Sequence, residues 1–202
     1  MSQNLNDEKK VRQRWPREQR YHQLISVACE IVELEGTDAL TLPRLAERAQ
    51  VTKPVVYSHF PDRAALLADL YRAFSKEQLE ALESAIAQSP KGTEEKARVI
   101  AASHLNCVMG QGATLWSVSA ALSGSQEMEK AKNECENAYI QVCRRSLFQQ
   151  SDDLGTTTAV VNAIFGAADR LAESACSGQI SRDTAEEWLV KLVLGLVTIA
   201  TV

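Results

Sequence analysis

Histidine is scarce in this chain of 202 residues, and so are aromatics and glycine, and sustained apolar/polar alternation is nearly absent. Each shortage removes a class of protein. The three histidines (His22, His59, His104) fall in no His-Glu-x-x-His or Glu-x-x-His spacing, and no Gly-x-Ser-x-Gly is present, so neither a metal-dependent bundle enzyme nor a serine hydrolase is expected. The five cysteines (Cys29, Cys107, Cys135, Cys143, Cys176) are scattered without a Cys-x-x-Cys pair, which argues against a disulfide framework and a zinc site. They read as reduced, mostly buried thiols. No apolar run is long enough for a span of roughly 20 residues: the best, Trp188 to Val202, is short and contains Lys191. The first twenty residues are polar and basic, unlike an export signal. A cytoplasmic protein with no membrane contact is expected. Excess positive charge is absent too, with 22 Lys+Arg against 26 Asp+Glu. That balance argues against a nucleic-acid partner if the charge is evenly spread.

What remains is a helix-forming composition, 45% AVILMFWYC and rich in Ala, Leu, Glu, Gln and Arg between sparse breaks. An all-α chain of about nine helices is expected. Pro16 suits the start of a first helix and Gly36 its end, with Leu24, Val27, Ala28, Ile31 and Leu34 as the apolar stripe between them. Three shorter segments follow: Thr41 to Ala49, Thr52 to Phe60, and one opening at Asp62, each starting on an N-cap residue. Longer patterns cover Thr93 to Met109, Ala113 to Leu122, Ser125 to Gln149, Thr156 to Cys176 and Arg182 to Thr201. Gly- and Ser-containing breaks separate them. Short breaks imply antiparallel neighbours, hence a small N-terminal helical unit joined through a shared helix to a larger bundle.

The stretch from Thr41 to Phe60 has the layout of a helix-turn-helix. Leu42, Leu45 and Ala46 form the apolar face of its first helix. In the second, Val56 and Phe60 stack at i, i+4, with Val51 as a staple before the Thr52 cap. Lys53, Pro54, Val55, Tyr57, Ser58 and His59 then point outward, a face able to enter a major groove. Lys53 suits guanine O6/N7 or phosphate, and Pro54 and Val55 suit thymine methyls. Tyr57 and His59 suit backbone oxygens, and the helix end at Thr52 favours phosphate.

With Leu24-Ile25, Val27-Ala28 and Ile31-Val32 before Gly36, then Thr41, Leu45-Ala46, Val51-Thr52, Tyr57, His59-Phe60 and Arg63, residues 17 to 70 resemble the DNA-binding domain of TetR-type repressors. Two positions depart from that pattern: Gln50 stands where a turn glycine is usual, and Arg63 where lysine is. The resemblance implies a three-helix DNA-binding domain at 17–62 after a basic arm at 1–16, a connecting helix starting at 63–76, and a ligand-binding and dimerisation domain at 77–202. It also implies a ligand-responsive regulator, most simply a repressor, that binds a palindromic operator as a homodimer and is released by a small-molecule effector. No cofactor is implied. Carried onto this sequence, Lys53, Pro54, Val55, Tyr57 and Ser58 face bases, while Tyr57, His59, Thr41 and Arg63 contact phosphates.

Lys9, Lys10, Arg12, Arg14, Arg17 and Arg20 either lie along phosphates or a minor groove, or form a solvated tail; Trp15 is a possible anchor. The effector pocket is expected between Thr93 and Phe148, with His104, Cys107, Met109, Trp116, Tyr139 and Cys143 as candidates. His104 and Cys107, one turn apart, are too few to make a metal site. For the dimer face the stripes are Val160, Ile164, Ala167, Ala168 and Leu171, then Trp188, Leu189, Leu192, Val193 and Leu196, with Gly166 and Gly195 permitting close approach. Charge divides along the same line: twelve basic and ten acidic residues lie up to Lys76, ten and sixteen after it. The overall acidity therefore belongs to the second unit and does not argue against DNA binding by the first.

Overall fold

The structure, a computed structural model, describes residues 15–109, 118, 121, 124–148 and 153–200. Among these residues there are eight α-helices and no strand. They are α1 (Arg17–Glu35), α2 (Leu42–Arg48), α3 (Lys53–Tyr57), α4 (Arg63–Gln88), α5 (Thr93–Met109), α6 (Gln126–Leu147), α7 (Leu154–Cys176) and α8 (Arg182–Ala200), with a 3-10 turn at Thr37–Ala39. Of the helix expected over Ala113 to Leu122 only Val118 and Ala121 are described, both helical; the arm residues Lys9, Lys10, Arg12 and Arg14 lie outside the described residues.

Helix boundaries follow capping chemistry. Thr41 Oγ1 accepts from Arg44 N at 3.2 Å, Asp62 Oδ1 from Ala65 N at 2.8 Å and Ser125 Oγ from Met128 N at 3.1 Å, each satisfying an amide that has no partner within its helix. α7 begins two residues before the expected Thr156 because Asp153 caps it, accepting from Thr156 N at 3.0 Å. The boundary expected at 76/77 falls inside α4, which runs unbroken for 26 residues, about 39 Å.

The core of the N-terminal unit departs from the expected stripe on α1. Leu24, Ile25, Ala28, Ile31 and Val32 are buried, whereas Leu34 is 74% exposed. Positions 24, 25, 28, 31 and 32 share a face, and one step past Val32 the helix has turned Glu33 and Leu34 to the outside. Leu40, Leu42, Leu45, Val56, Phe60, Leu66, Leu67 and Leu70 complete this core. A second core joins Leu82 of α4 to α5, the C-terminal half of α6, α7 and α8. α4 therefore belongs to both units.

Candidate DNA-binding face and effector cavity

The turn between α2 and α3 sets the angle of the helix-turn-helix. Val51 N donates to Ala46 O at 3.0 Å and Gln50 N to Glu47 O at 3.1 Å, the paired bonds of a Schellman motif. That motif puts its central residue in the left-handed region, and Gln50 has φ 54°. Val51 packs on the core, as the staple reading anticipates. Arg44 braces the other side of α2: Nε and Nη2 grip Glu35 at 3.1 and 2.9 Å, and Nη1 reaches Glu47 at 2.9 Å. This fork holds the Glu35 carboxyl below its usual value.

Of the residues placed outward by sequence, Thr41, Thr52, Lys53, Pro54, Tyr57 and Ser58 are exposed, while Val55 and His59 are half-buried. Val56 and Phe60 are fully buried beneath them. The chemistry of this face is narrower than residue types alone convey. Ser58 Oγ spends its proton on Val55 O at 2.7 Å, so toward a base it is an acceptor. Thr52 makes no side-chain cap bond, which leaves its hydroxyl free among the described residues. The expected phosphate seat on the α3 amides is corrected: α3 has five residues, Pro54 lacks an N–H, and Val55 N is taken by Thr52 O at 3.0 Å.

Arg63 is also placed differently from the expected phosphate contact. Its Nε donates to Leu40 O at 2.8 Å and its Nη2 to Thr37 O at 2.8 Å, tying the 3-10 turn to α4. Two of five donors are thus committed inside the domain. His59 sits with its ring 6.3 Å from that of Tyr21, and burial, reinforced by Arg17 and Arg20, lowers its pKa. Arg17 and Arg20 therefore belong to folded α1, next to the C-terminal end of α3. Basic residues in a first helical turn oppose the helix dipole; that placement in the sequence was the available signal. Arg20 also lies 5.0 Å from the Trp15 ring centroid, so Trp15 rests on α1.

In the larger unit, α4, α5, α6 and α7 enclose a cavity of about 250 Å³. His104, Cys107 and Tyr139 line it, and Cys143 borders a smaller void that shares His104, Tyr139 and Phe165 with it. Met109 lines neither and is corrected; Trp116 lies outside the described residues. Sequence reasoning missed the walls contributed by α4 (Tyr71, Ser75, Gln78) and α7 (Phe165, Asp169), because periodicity shows that a face is apolar without showing what it meets.

Three rings pack together at one wall. Centroid separations are 5.3 Å for His104–Phe165, 5.4 Å for Tyr139–Phe165 and 6.0 Å for His104–Tyr139. His104 Nε2 lies 2.9 Å from Asp169 Oδ1, so with an ionised carboxylate that nitrogen carries the proton. Tyr139 Oη is buried with no partner other than the weakly hydrogen-bonding Cys143 thiol beside it. Burial holds this hydroxyl well above its usual value, and burial likewise pushes Cys143 up to about 12. Thiols so shifted are poor nucleophiles.

The expected dimer stripe is largely corrected as well. Ile164, Ala168, Leu189 and Val193 are buried in the chain's own core. Val160, Leu171, Leu192 and Leu196 pack partly against it, and Ala167 is half-buried. Trp188, Gly166 and Gly195 of that expectation do stand on an open face, joined by Ala163 on α7 and Ile199 on α8. Trp188 and Ile199 are 58% and 74% exposed, and nothing stands near Gly166 or Gly195.

Residues 24–70 match the family model described as bacterial regulatory proteins, tetR family. Over those residues the chain is similar to that family, whose description is of regulatory proteins. Over 82 residues the chain is 33% identical to the HTH-type transcriptional activator FasR of Mycolicibacterium smegmatis, a match covering 41% of this chain and 36% of that protein. A second regulator, YdeS of Bacillus subtilis, is 31% identical over 65 residues, covering 32% of this chain and 33% of that one. The chain therefore matches about a third of the length of these relatives. The fold extends further. A transcriptional regulator from Pseudomonas aeruginosa superposes with a TM-score of 0.71 at 16% identity, covering 93% of this chain and 95% of its own. FadR of Bacillus subtilis, solved in complex with stearoyl-CoA, gives 0.60 at 18% identity, covering 89% and 97%. The two-unit TetR-like architecture thus spans the chain, while sequence likeness concentrates at the helix-turn-helix.

Proposed function

We propose that this protein is a ligand-responsive transcriptional regulator, acting as a repressor, that binds a palindromic operator as a homodimer and leaves it when a small molecule fills the cavity. The observation that carries the reading is the double membership of α4. Leu66, Leu67 and Leu70 lock one end into the DNA-binding core, and Tyr71, Ser75, Gln78, Leu79 and Leu82 wall the cavity. A ligand that pushes on the second set moves the first as a rigid lever. Arg72 adds a tie, reaching Asp69 at 3.0 Å and Glu134 of α6 at 2.9 Å.

On DNA, Lys53, Pro54, Val55, Tyr57 and Ser58 read base edges, and Thr41, Thr52, His59, Arg17 and Arg20 meet phosphates. Arg63 acts mainly by positioning α4. In the dimer, the open α7–α8 face pairs with its copy in a four-helix bundle. Successive major grooves on one side of DNA lie ~34 Å apart, so the effector needs only to favour a bundle conformation with the wrong half-site separation. Selection of duplexes from a random pool tests the reading. It is supported by enrichment of an inverted repeat bound by two chains and refuted by recovery of unrelated sequences.

A further inference from the structure

The effector cavity carries an electrostatic signature that its apolar character conceals. Its body-sized wall is made of Leu79, Leu82, Val108, Phe165 and the rings of Tyr71 and Tyr139, and its charged lining among the described residues is Lys132, Glu136 and Asp169. Among the described residues Lys132 and Glu136 make no ion pair with each other, so the lining carries one ammonium against two carboxylates, and Asp169 tips the balance negative. Among the described residues Asp169 pairs with His104, through Oδ1, and its side chain is 45% exposed. The neighbouring Arg170 is engaged with Glu173, and Arg182 with Asn106 and Glu186. The stretch from Gly110 to Ser123 contains no Asp, Glu, Lys or Arg at all, so it adds no charge to this balance. Asp169 raises the Cys107 thiol, and both Asp169 and Glu136 act in the same direction on cavity hydroxyls, with burial the larger cause throughout.

We propose that this cavity takes a compact lipophilic amine, an aryl or alkyl body seated on the apolar wall with its ammonium paired to Asp169. At about 250 Å³ the space lies just below the roughly 300–1,000 Å³ of ordinary small-molecule sites, so the body must be compact. An ammonium brings three donors and no acceptor, which matches a lining with two carboxylates to one ammonium. The adjacent aromatic rings add to the preference for a cation, because their quadrupoles attract positive charge. A carboxylate ligand of the same size has only Lys132 to pair with and meets two carboxylates. This inference rests on reading the cavity as the effector site.

The test is calorimetric titration of the full chain with four probes of nearly equal size: 3-phenylpropylamine, 3-phenylpropanol, n-butylbenzene and 3-phenylpropanoate. The amine is expected to bind roughly tenfold tighter than butylbenzene, the size of a charge-assisted hydrogen bond, with the alcohol between them and the carboxylate weakest. Asp169→Asn keeps an acceptor for His104, and it is expected to erase the lead of the amine over the alcohol and to improve the carboxylate. Glu136→Gln, at an exposed position away from His104, is expected to narrow the lead less. Equal affinities, a carboxylate that matches the amine, an unchanged order in Asp169→Asn, or no binding by any probe each overturns the proposal. Operator retention measured in parallel reports separately on the regulator reading, which survives if DNA binding is specific and the probe order fails.

Discussion

Gln50 holds a strained conformation that one substitution relieves. Its φ of 54° belongs to the region where an L side chain costs roughly 1–2 kcal/mol. Glycine removes that penalty, while the greater freedom of its unfolded chain returns about 0.5–1 kcal/mol. The side chain of Gln50 is exposed, and the two bonds that define the turn use backbone atoms, so truncation sacrifices no core contact. Gln50→Gly should therefore stabilise by about 0.5–1 kcal/mol, which for a chain of this size raises the melting temperature by about 1–4 °C. Gln50→Ala keeps the Cβ and the strain and should stay within about 0.5 kcal/mol of wild type. Gln50→Val, β-branched at positive φ, should fall below both. Thermal and urea unfolding of the four proteins checks the series. A glycine variant less stable than wild type would refute the strain argument, as would alanine and glycine giving the same gain.

Gly36 tests the opposite case. At φ 85° and ψ 164° it lies in a region open essentially to glycine alone, and a Cβ there meets no atom within 4 Å, so Gly36→Ala should lose roughly 1–3 kcal/mol in urea unfolding through backbone strain alone. Phe60 is fully buried beneath the recognition helix, and Phe60→Ala should cost about 3–5 kcal/mol by the same measurement. The pH dependence follows from Glu35. Its pKa is lowered by the Arg44 fork, so the unfolded chain binds the proton more readily. The contribution is complete above the usual carboxylate value near 4.5 and fades as pH falls through the folded value. Glu35→Gln should flatten that part of an acid denaturation curve. On a selected operator, Lys53→Ala should either relax base preference at one position or lower affinity uniformly and cut the salt slope by about 1, distinguishing a guanine contact from a phosphate contact.

The helix-turn-helix was legible because its information is local: Thr41 and Asp62 cap, Leu42, Leu45 and Ala46 face inward, and Val56 pairs with Phe60, each relation spanning only three or four residues. The strain at Gln50 could be read in the same way, from a residue standing where the turn favours glycine. The inward bonds of Arg63 were not legible, because its side chain is drawn to the carbonyls of Thr37 and Leu40, more than twenty positions away in sequence. The dimer stripe was legible only in part, for a related reason. Both helices of the pair have apolar residues on more than one side, and only packing reveals that Ile164, Ala168 and Leu189 face the core while Gly166, Gly195 and Ile199 do not. The cavity was half visible, since His104, Cys107 and Tyr139 carry recognisable chemistry, while Asp169, its most consequential group, sits on a helix that sequence reasoning had assigned to the dimer.

The central claim is that the exposed face of α3 reads DNA sequence and that two chains do so together. Nuclease footprinting of a selected operator by wild type and by a Lys53→Ala/Tyr57→Ala double variant is the most direct measurement. Two protected half-sites centred about 34 Å apart, present with wild type and lost with the double variant at equal fold stability, are the predicted result. Protection that does not depend on sequence, or a footprint unchanged in the double variant, would contradict it.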